Sequence, residues 1–358
     1  MAVERVDPHE MEADALEGVP LPRERAALIG HGAAERALLD AYRSGRMHHA
    51  WILAGPKGIG KSTLAFRFAR FVLAHPDPTV DAVQSAVDLS VARDTPTFGQ
   101  VASGAHPGLL HLRRPYDAKR KAKDKFKQDL TVDEIRRAVP FFGSTGAQGS
   151  WRICIVDAAD DMNVNAANAL LKVLEEPPRR SLFLVLSHAP GRLLPTIRSR
   201  CRMLRTDPLT REEVRAGLLD LGVSDGDPAR AERIADLADG SLRTAITLAR
   251  GEALDLADLF QSLVARLPEL DPAAVHAFAE TVGRPGADEG WTLFLDLIGD
   301  HLHARLADAA TTPLHRLVSV TEVWEKTSRA AREADAFNLD RKQVVLNAFR
   351  DLAAAARS

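Results

Sequence analysis

Residues 53–63 read L-A-G-P-K-G-I-G-K-S-T, and no other stretch restricts the fold of this chain as strongly. Gly55, Gly60, Lys61 and Ser62 satisfy the pattern G-x-x-x-x-G-K-S. Glycines let successive backbone N–H groups turn inward around phosphate oxygens, and a helix starting near Lys61 would aim its positive end at the same oxygens. Such a loop requires a buried strand before it and an amphipathic helix after it. HAWILAG (49–55) supplies the strand, and STLAFRFARFVLA supplies the helix, with Leu64, Phe68, Phe71 and Val72 on one face. Gly55, Pro56, Lys57, Gly58, Ile59, Gly60, Lys61, Ser62 and Thr63 are therefore the expected cradle for ATP or ADP with Mg²⁺. Lys61 would reach the β and γ phosphates, and Ser62 would ligate the metal.

Binding a nucleotide and cutting it are separate requirements. Hydrolysis needs an acid at the end of a second strand to hold Mg²⁺, and a second carboxylate beside it to polarise water. Asp157, after RICIV, fits the first role; a helix cap at the strand end is the other reading of it. Positions 158 and 159 are both alanine, and the next acids, Asp160 and Asp161, are displaced. The pocket reads as equipped to bind and poorly equipped to cut.

At 358 residues the chain is too long for one ordinary core. Through the first ~206 residues, short apolar runs alternate with helical patterns, which predicts a parallel sheet covered on both sides. The strands are expected at 49–55, 109–114, 151–157, 181–187 and 201–206. WRICIVD (151–157) is apolar on successive residues, as a strand buried on both faces should be. VNAANALLKVLEE (164–176) reads as a helix burying Leu170, Leu171 and Leu174 and stopped by Pro177-Pro178. After Pro208 the pattern turns helical: three compact helices, a looser stretch GEALDLAD, then further helices to the end. Boundaries fall near 207 and 255, which gives segments 1–206, 207–254 and 255–358.

Composition narrows the function further. Formal net charge is −2, so any nucleic-acid contact must come from a local patch. KRKAKDKFK (119–127) is the one dense run, with six Lys or Arg in nine positions; it reads either as a solvated loop or as a phosphate-contacting patch. The two cysteines, Cys154 and Cys201, exclude a disulfide framework and a four-cysteine zinc site, and fit a reducing cytoplasm. No apolar run approaches the ~20 residues a membrane span needs. The acidic, proline-spotted residues 1–22 lack the order of a signal peptide and read as a loose tail.

NALLKVLEEPP (168–178), SLFLVLSHAP, PTIRSRC (195–201) and GSLRTAI (240–246) follow one another in an order that resembles the clamp-loader AAA+ subunits of bacterial DNA polymerase III. These strings span the first ~250 residues, and the helical remainder carries no motif. Within the family the chain is most similar to the delta-prime type. The resemblance implies an α/β fold: an AAA+ P-loop domain with a parallel five-stranded sheet, a three-helix lid and an all-helical collar for oligomerisation. It implies a cytoplasmic component of the polymerase III holoenzyme that assists ATP-dependent loading of the sliding clamp on primed DNA. No polymerase activity of its own is implied, and its own ATPase would be weak or absent. The implied partners are the gamma/tau and delta subunits, the sliding clamp and primer-template DNA.

Residue by residue, the resemblance makes Arg200 an arginine finger acting in trans, Arg243 a lid arginine contacting nucleotide in cis, and Ser187 a sensor of the γ-phosphate. Guanidinium suits the first task, because it is always charged and its planar fork matches phosphate oxygens. The same resemblance assigns no role to His188 and reads Glu175 and Glu176 as structural. Two departures stand out. The stretch 75–106, where this group commonly carries a zinc module, has no cysteine, so no zinc is expected. The glycine loop, lost in many delta-prime subunits, is intact here. One alternative is a catalytically active gamma/tau-type ATPase, against which Ala158 and the missing zinc quartet both speak; another is an unrelated P-loop protein, such as a small-molecule kinase or a stress-related AAA+ ATPase, against which the NALLK-LEEPP and SRC strings speak.

Overall fold

Five apolar runs become five strands: β1 (Ala50–Ala54), β2 (Leu109–Leu112), β3 (Arg152–Val156), β4 (Ser181–Ser187) and β5 (Arg202–Arg205). In the computed structural model they form one sheet in the order β2-β3-β4-β1-β5. Every neighbouring pair is parallel. The described residues are 12, 15–116, 126–127, 129–143, 150–223, 226–307 and 314–357. Of the basic run 119–127 only Phe126 and Lys127 are among them, so its reading lies outside the described residues.

The period of a strand divides the core in two. Trp51, Leu53, Ile153, Ile155, Leu182, Leu184 and Leu186 face one side and pack against the helix Lys61–Ala74. Ile52, Cys154, Val156, Phe183 and Val185 face the other, against the helix Val164–Glu175. This is the sheet, covered on both faces, expected of an AAA+ P-loop domain. Full burial of such side chains contributes roughly 1.5–3 kcal/mol each, which fixes the register of the strands that carry the site. Leu170 and Leu174 are buried as expected, while Leu171 is only partly covered. Asn163 starts this helix by accepting a hydrogen bond from the Ala166 N–H at 2.9 Å, and it stops before the two prolines.

The segment read as a loose tail is packed in part: Glu17, Gly18 and Pro20 are exposed, but other described residues are held. Leu21 is 3% exposed, and its N–H donates to the Glu24 carboxylate. Glu12 pairs with Arg23 and Arg113. Arg70 of the P-loop helix, itself buried, donates to the carbonyls of Arg23 and Arg25 at 2.6 and 3.0 Å. Arg67 donates to the carbonyl of Ala26 and holds the buried Glu35 at 2.7 Å. A helix buried on every side has no solvent face for its arginines, so they satisfy backbone carbonyls of the preceding segment. Composition alone hid this, because the anchors lie some forty residues downstream.

The described chain forms two compact units. One is residues 12–222 with 239–243; the other is residues 223–238 with 244–357. After Pro208 come the helices Arg211–Asp220, Pro228–Leu237 and Leu242–Leu248. The stretch GEALDLAD, read as looser, is instead the start of a helix, Ala253–Val264. Leu254, Ala257, Phe260 and Val264 recur at helical spacing and are all buried, and that apolar stripe overrides the polar residues between them. The helix runs across position 255. Four more follow, Pro272–Gly283, Asp288–Ala307, Leu314–Phe337 and Arg341–Arg357. Phe260, Phe278, Phe294 and Phe349 meet at their centre, with centroids 5.7–6.5 Å apart.

Candidate nucleotide site

The register of the sheet brings the C-terminal ends of β1, β3 and β4 to one edge, where ligands of open α/β sheets bind. The loop after β1 is shaped by its glycines. A Cβ on Gly55 would collide with the carbonyl and hydroxyl of Thr206, which caps the end of β1 through its own N–H to Ala54 O at 2.8 Å. Gly58 and Gly60 take φ of 80° and 110°, a region that disfavours side chains. A Cβ on Gly58 would meet Ser241 and Arg243. Ile59 is buried and pins the loop, while Pro56 and Lys57 are exposed. Gly60 caps the helix Lys61–Ala74, and Thr63 lies half-buried in its first turn.

Lys61 is 4% exposed and donates to the carbonyls of Gly55, at 2.7 Å, and Pro56. Burial pulls its pKa down to about 8, against the attraction of Asp157 and Asp160. The Ser62 hydroxyl donates to Asp157 Oδ2 at 2.9 Å, so the two expected Mg²⁺ ligands are side by side. His111, on β2, sits with Nε2 at 3.6 Å from the same carboxylate. Burial works to raise the Asp157 pKa, but His111 and Ser62 outweigh it and hold the group below its ordinary value. The set fits a hard cation bridging to phosphate: one hydroxyl and one ionised carboxylate beside a buried lysine at a helix N-terminus.

Asp160 has a different task. It accepts from the Ser187 hydroxyl at 2.8 Å, from the His188 N–H at 2.6 Å and from the Ala189 N–H at 3.0 Å. It thereby ties the turn after β3 to the end of β4. Asp161 faces Arg114 at 3.4 Å. Ser187 is fully buried with its proton committed to Asp160. Burial, and next the charge of Lys61, push the pKa of His188 below its ordinary value, and its Nδ1 has no hydrogen-bond partner among the described residues.

Arg243 lies at the loop: its N–H donates to Gly58 O at 3.1 Å. Arg200, the last residue of the helix Pro195–Arg200, is bound instead to Thr196 O at 3.1 Å and to Glu175 at 2.9 Å, with its side chain 36% exposed. One site residue escaped sequence reasoning. His31, at φ 57° before the helix Gly32–Arg43, places Nε2 2.7 Å from Ile59 O and its ring 3.7 Å from where a Gly60 Cβ would stand. Its signal, a Gly-His pair before a helix, with His31 28 residues upstream of Ile59, belongs to no short motif. Among the described residues no cluster of three or more His, Cys, Asp or Glu could hold a metal, and no helix is long and apolar enough to cross a membrane.

Residues 30–210 match the family described as DNA polymerase III, delta subunit. The chain is 37% identical over 153 residues to the DNA polymerase III subunit delta' of Pseudomonas aeruginosa, a match covering 43% of this chain and 41% of that protein. It is 28% identical over 254 residues to the subunit delta' of Escherichia coli, covering 68% and 71%. It is 25% identical over 230 residues to the subunit gamma of Buchnera aphidicola, covering 63% and 58%. The matches to the first two relatives found, from Pseudomonas and Buchnera, span about two fifths and three fifths of the lengths of those proteins.

Proposed function

Because the chain belongs to the DNA polymerase III delta-subunit family, we propose that it is the delta-prime subunit of a clamp loader: it binds ATP–Mg²⁺ without turning it over and acts on a neighbour's nucleotide through Arg200. In this reading the chain has three parts, a P-loop domain to 206, a lid over 207–254 and a collar from 255, which joins it to gamma/tau and delta subunits. The assembly would place a sliding clamp on primer-template DNA in the cytoplasm. Gly55 to Thr63, Asp157 and Arg243 hold the nucleotide, and Ser62 and Asp157 hold its Mg²⁺; no zinc site is proposed.

The observation that carries the division between binding and cutting is the arrangement after β3. Position 158 is alanine, and Asp160, the nearest further acid in sequence, already accepts three hydrogen bonds from Ser187, His188 and Ala189. A carboxylate so engaged is a poor base for an attacking water. The purified chain is therefore expected to bind ATP–Mg²⁺ with negligible steady-state hydrolysis. The retained glycine loop and the likeness to a gamma subunit favour a second reading, a gamma/tau-type ATPase. Brisk turnover by the isolated chain would establish that reading and remove the first.

The finger has its own test. Arg200→Ala, assembled with wild-type partners, should assemble normally yet slow DNA- and clamp-stimulated ATPase and clamp loading. In well-studied GTPases such an arginine contributes on the order of 10³–10⁵ at its site; total turnover of a ring falls by less, because other sites continue. Arg200→Lys should restore little, since a point charge lacks the bidentate fork. Wild-type loading by the alanine variant would make this subunit a passive scaffold.

A further inference from the structure

The string LEEPP is conspicuous in the sequence, yet nothing in nucleotide binding uses its glutamates. The fold gives one of them a neighbour. Glu175 is the last residue of the helix Val164–Glu175, and Arg200 is the last residue of the helix Pro195–Arg200. The two helices pack through Leu170, Leu174 and the fully buried Ile197. That packing sets the two helix ends side by side, with Arg200 Nη2 at 2.9 Å from Glu175 Oε1. The second terminal nitrogen, Nη1, donates to Thr196 O at 3.1 Å, one turn back in its own helix.

A carboxylate at a helix C-terminus faces the negative end of the helix dipole, an unfavourable place for it. Pairing with a guanidinium offsets that. The pairing also restricts a side chain that otherwise samples many rotamers, and an exposed arginine must lose that freedom before it can meet a phosphate. A guanidinium has five N–H groups; Thr196 O takes one of them and Glu175 pairs by charge at the other terminal nitrogen, so N–H donors remain for an incoming anion. Both side chains are partly open, 36% for Arg200 and 50% for Glu175, so the pair is reachable from outside.

We propose that Glu175 is a positioning residue for Arg200: together with Thr196 O it preorders the guanidinium at the edge of the domain, so that the finger meets a neighbour's phosphate already oriented. The proposal rests on the finger reading of Arg200. Glu176, next in the chain and exposed, supplies the control.

The test is a double-mutant cycle in the reconstituted clamp loader, reading single-turnover clamp loading and stimulated ATPase. Thermal unfolding of each variant chain and assembly of each complex are checked alongside. Glu175→Ala is expected to slow loading roughly two- to five-fold, the factor an exposed ion pair supports. The loss should fall on kcat rather than on KM for ATP, and Glu175→Gln, which keeps an acceptor, should lie between. In the Arg200→Ala background, Glu175→Ala should change nothing further, and Glu176→Ala should match wild type throughout. If Arg200→Ala is slow but Glu175→Ala loads at the wild-type rate, the positioning role is wrong while the finger stands. A faster Glu175→Ala variant would make Glu175 a restraint instead and also overturn the proposal. An equal loss in both backgrounds would reduce Glu175 to a structural residue. If Arg200→Ala itself has no effect, the finger reading fails and takes this proposal with it.

Discussion

The two units bury different things. Among the described residues, the unit that contains the sheet buries Glu35, Lys61, Arg67, Arg70, Ser181, Ser187 and Thr206, whereas the helical unit buries one polar residue of this kind, Thr327. In the first, each buried charge has a task that can be named: Lys61 at the glycine loop, Arg67 and Arg70 holding the preceding segment, Glu35 holding Arg67. In the second, the centre is a cluster of phenylalanines with Trp291 and His301 at its margin. Burying a charge is costly, so a fold keeps one only where geometry compensates it. The contrast locates chemistry in the first unit and packing in the second.

The sharpest way to break that contrast is to remove the packing. Phe260 is fully buried and touches the rings of Phe278, Phe294 and Phe349. Phe260→Ala should destabilise the helical unit by about 3–5 kcal/mol. Denaturant unfolding followed by tryptophan fluorescence, with Trp291 as reporter, measures it. A loss below about 1 kcal/mol would show that the aromatic centre is not the core.

A smaller effect comes from a titratable group at that margin. His301 sits edge-on to Phe260, with Nε2 buried and without a hydrogen-bond partner among the described residues. Burial, and next the charge of Arg305, push its pKa down from 6.5 to about 4. The unfolded chain then binds more protons than the folded one between those values, so stability rises with pH. The contribution is complete above about pH 6.5 and lost as pH falls towards 4, on the order of 3 kcal/mol in all. His301→Leu should flatten this part of the pH profile, and an unchanged slope would remove His301 as its cause.

In the first unit, Lys61→Ala should weaken ATP–Mg²⁺ binding by about 1.5–3 kcal/mol, on the order of 10- to 100-fold in affinity. Stability should change little or improve, because the variant no longer buries a charge. Titration calorimetry and thermal unfolding of the same samples separate the two. A variant that binds normally would mean that the buried lysine serves the loop alone.

What could be read from the sequence follows the range of the interaction. All five strands formed where they were expected, most plainly β1, β3 and β4, because a strand buried on both faces is spelled out by its own residues, whereas the edge strand β5 is largely exposed. The P-loop was legible for the same reason, since Gly58 and Gly60 act on their own backbone, although Gly55 answers to Thr206 far along the chain. His31 on Ile59, Arg70 on the segment at 23–25 and Glu175 beside Arg200 were not, since each joins residues 25 or more positions apart and none shifts local propensity. The helix Ala253–Val264 was misread differently: its apolar stripe was present, but the acidic residues between its leucines obscured the period.

The smallest effect tests whether a purely local rule holds inside the unit that long-range contacts dominate. Thr210 opens the helix Arg211–Asp220 with a capping box: its hydroxyl accepts from the Glu213 N–H at 3.2 Å, and the Glu213 carboxylate accepts from the Thr210 N–H at 2.8 Å. The signature T-x-x-E stands in the sequence at 210–213. Thr210→Ala should cost about 1 kcal/mol, because one helix-terminal N–H loses its acceptor in a partly exposed place. Glu213 has a second duty, since its carboxylate and Leu209 wall the space beside Gly30, which takes φ 64°. Glu213→Ala should therefore cost at least as much as Thr210→Ala. The double variant should fall short of the sum, because the two bonds brace one turn. Strict additivity in chemical unfolding would show that the box is two independent bonds, and that this helix start is held by Leu209 and its neighbours instead.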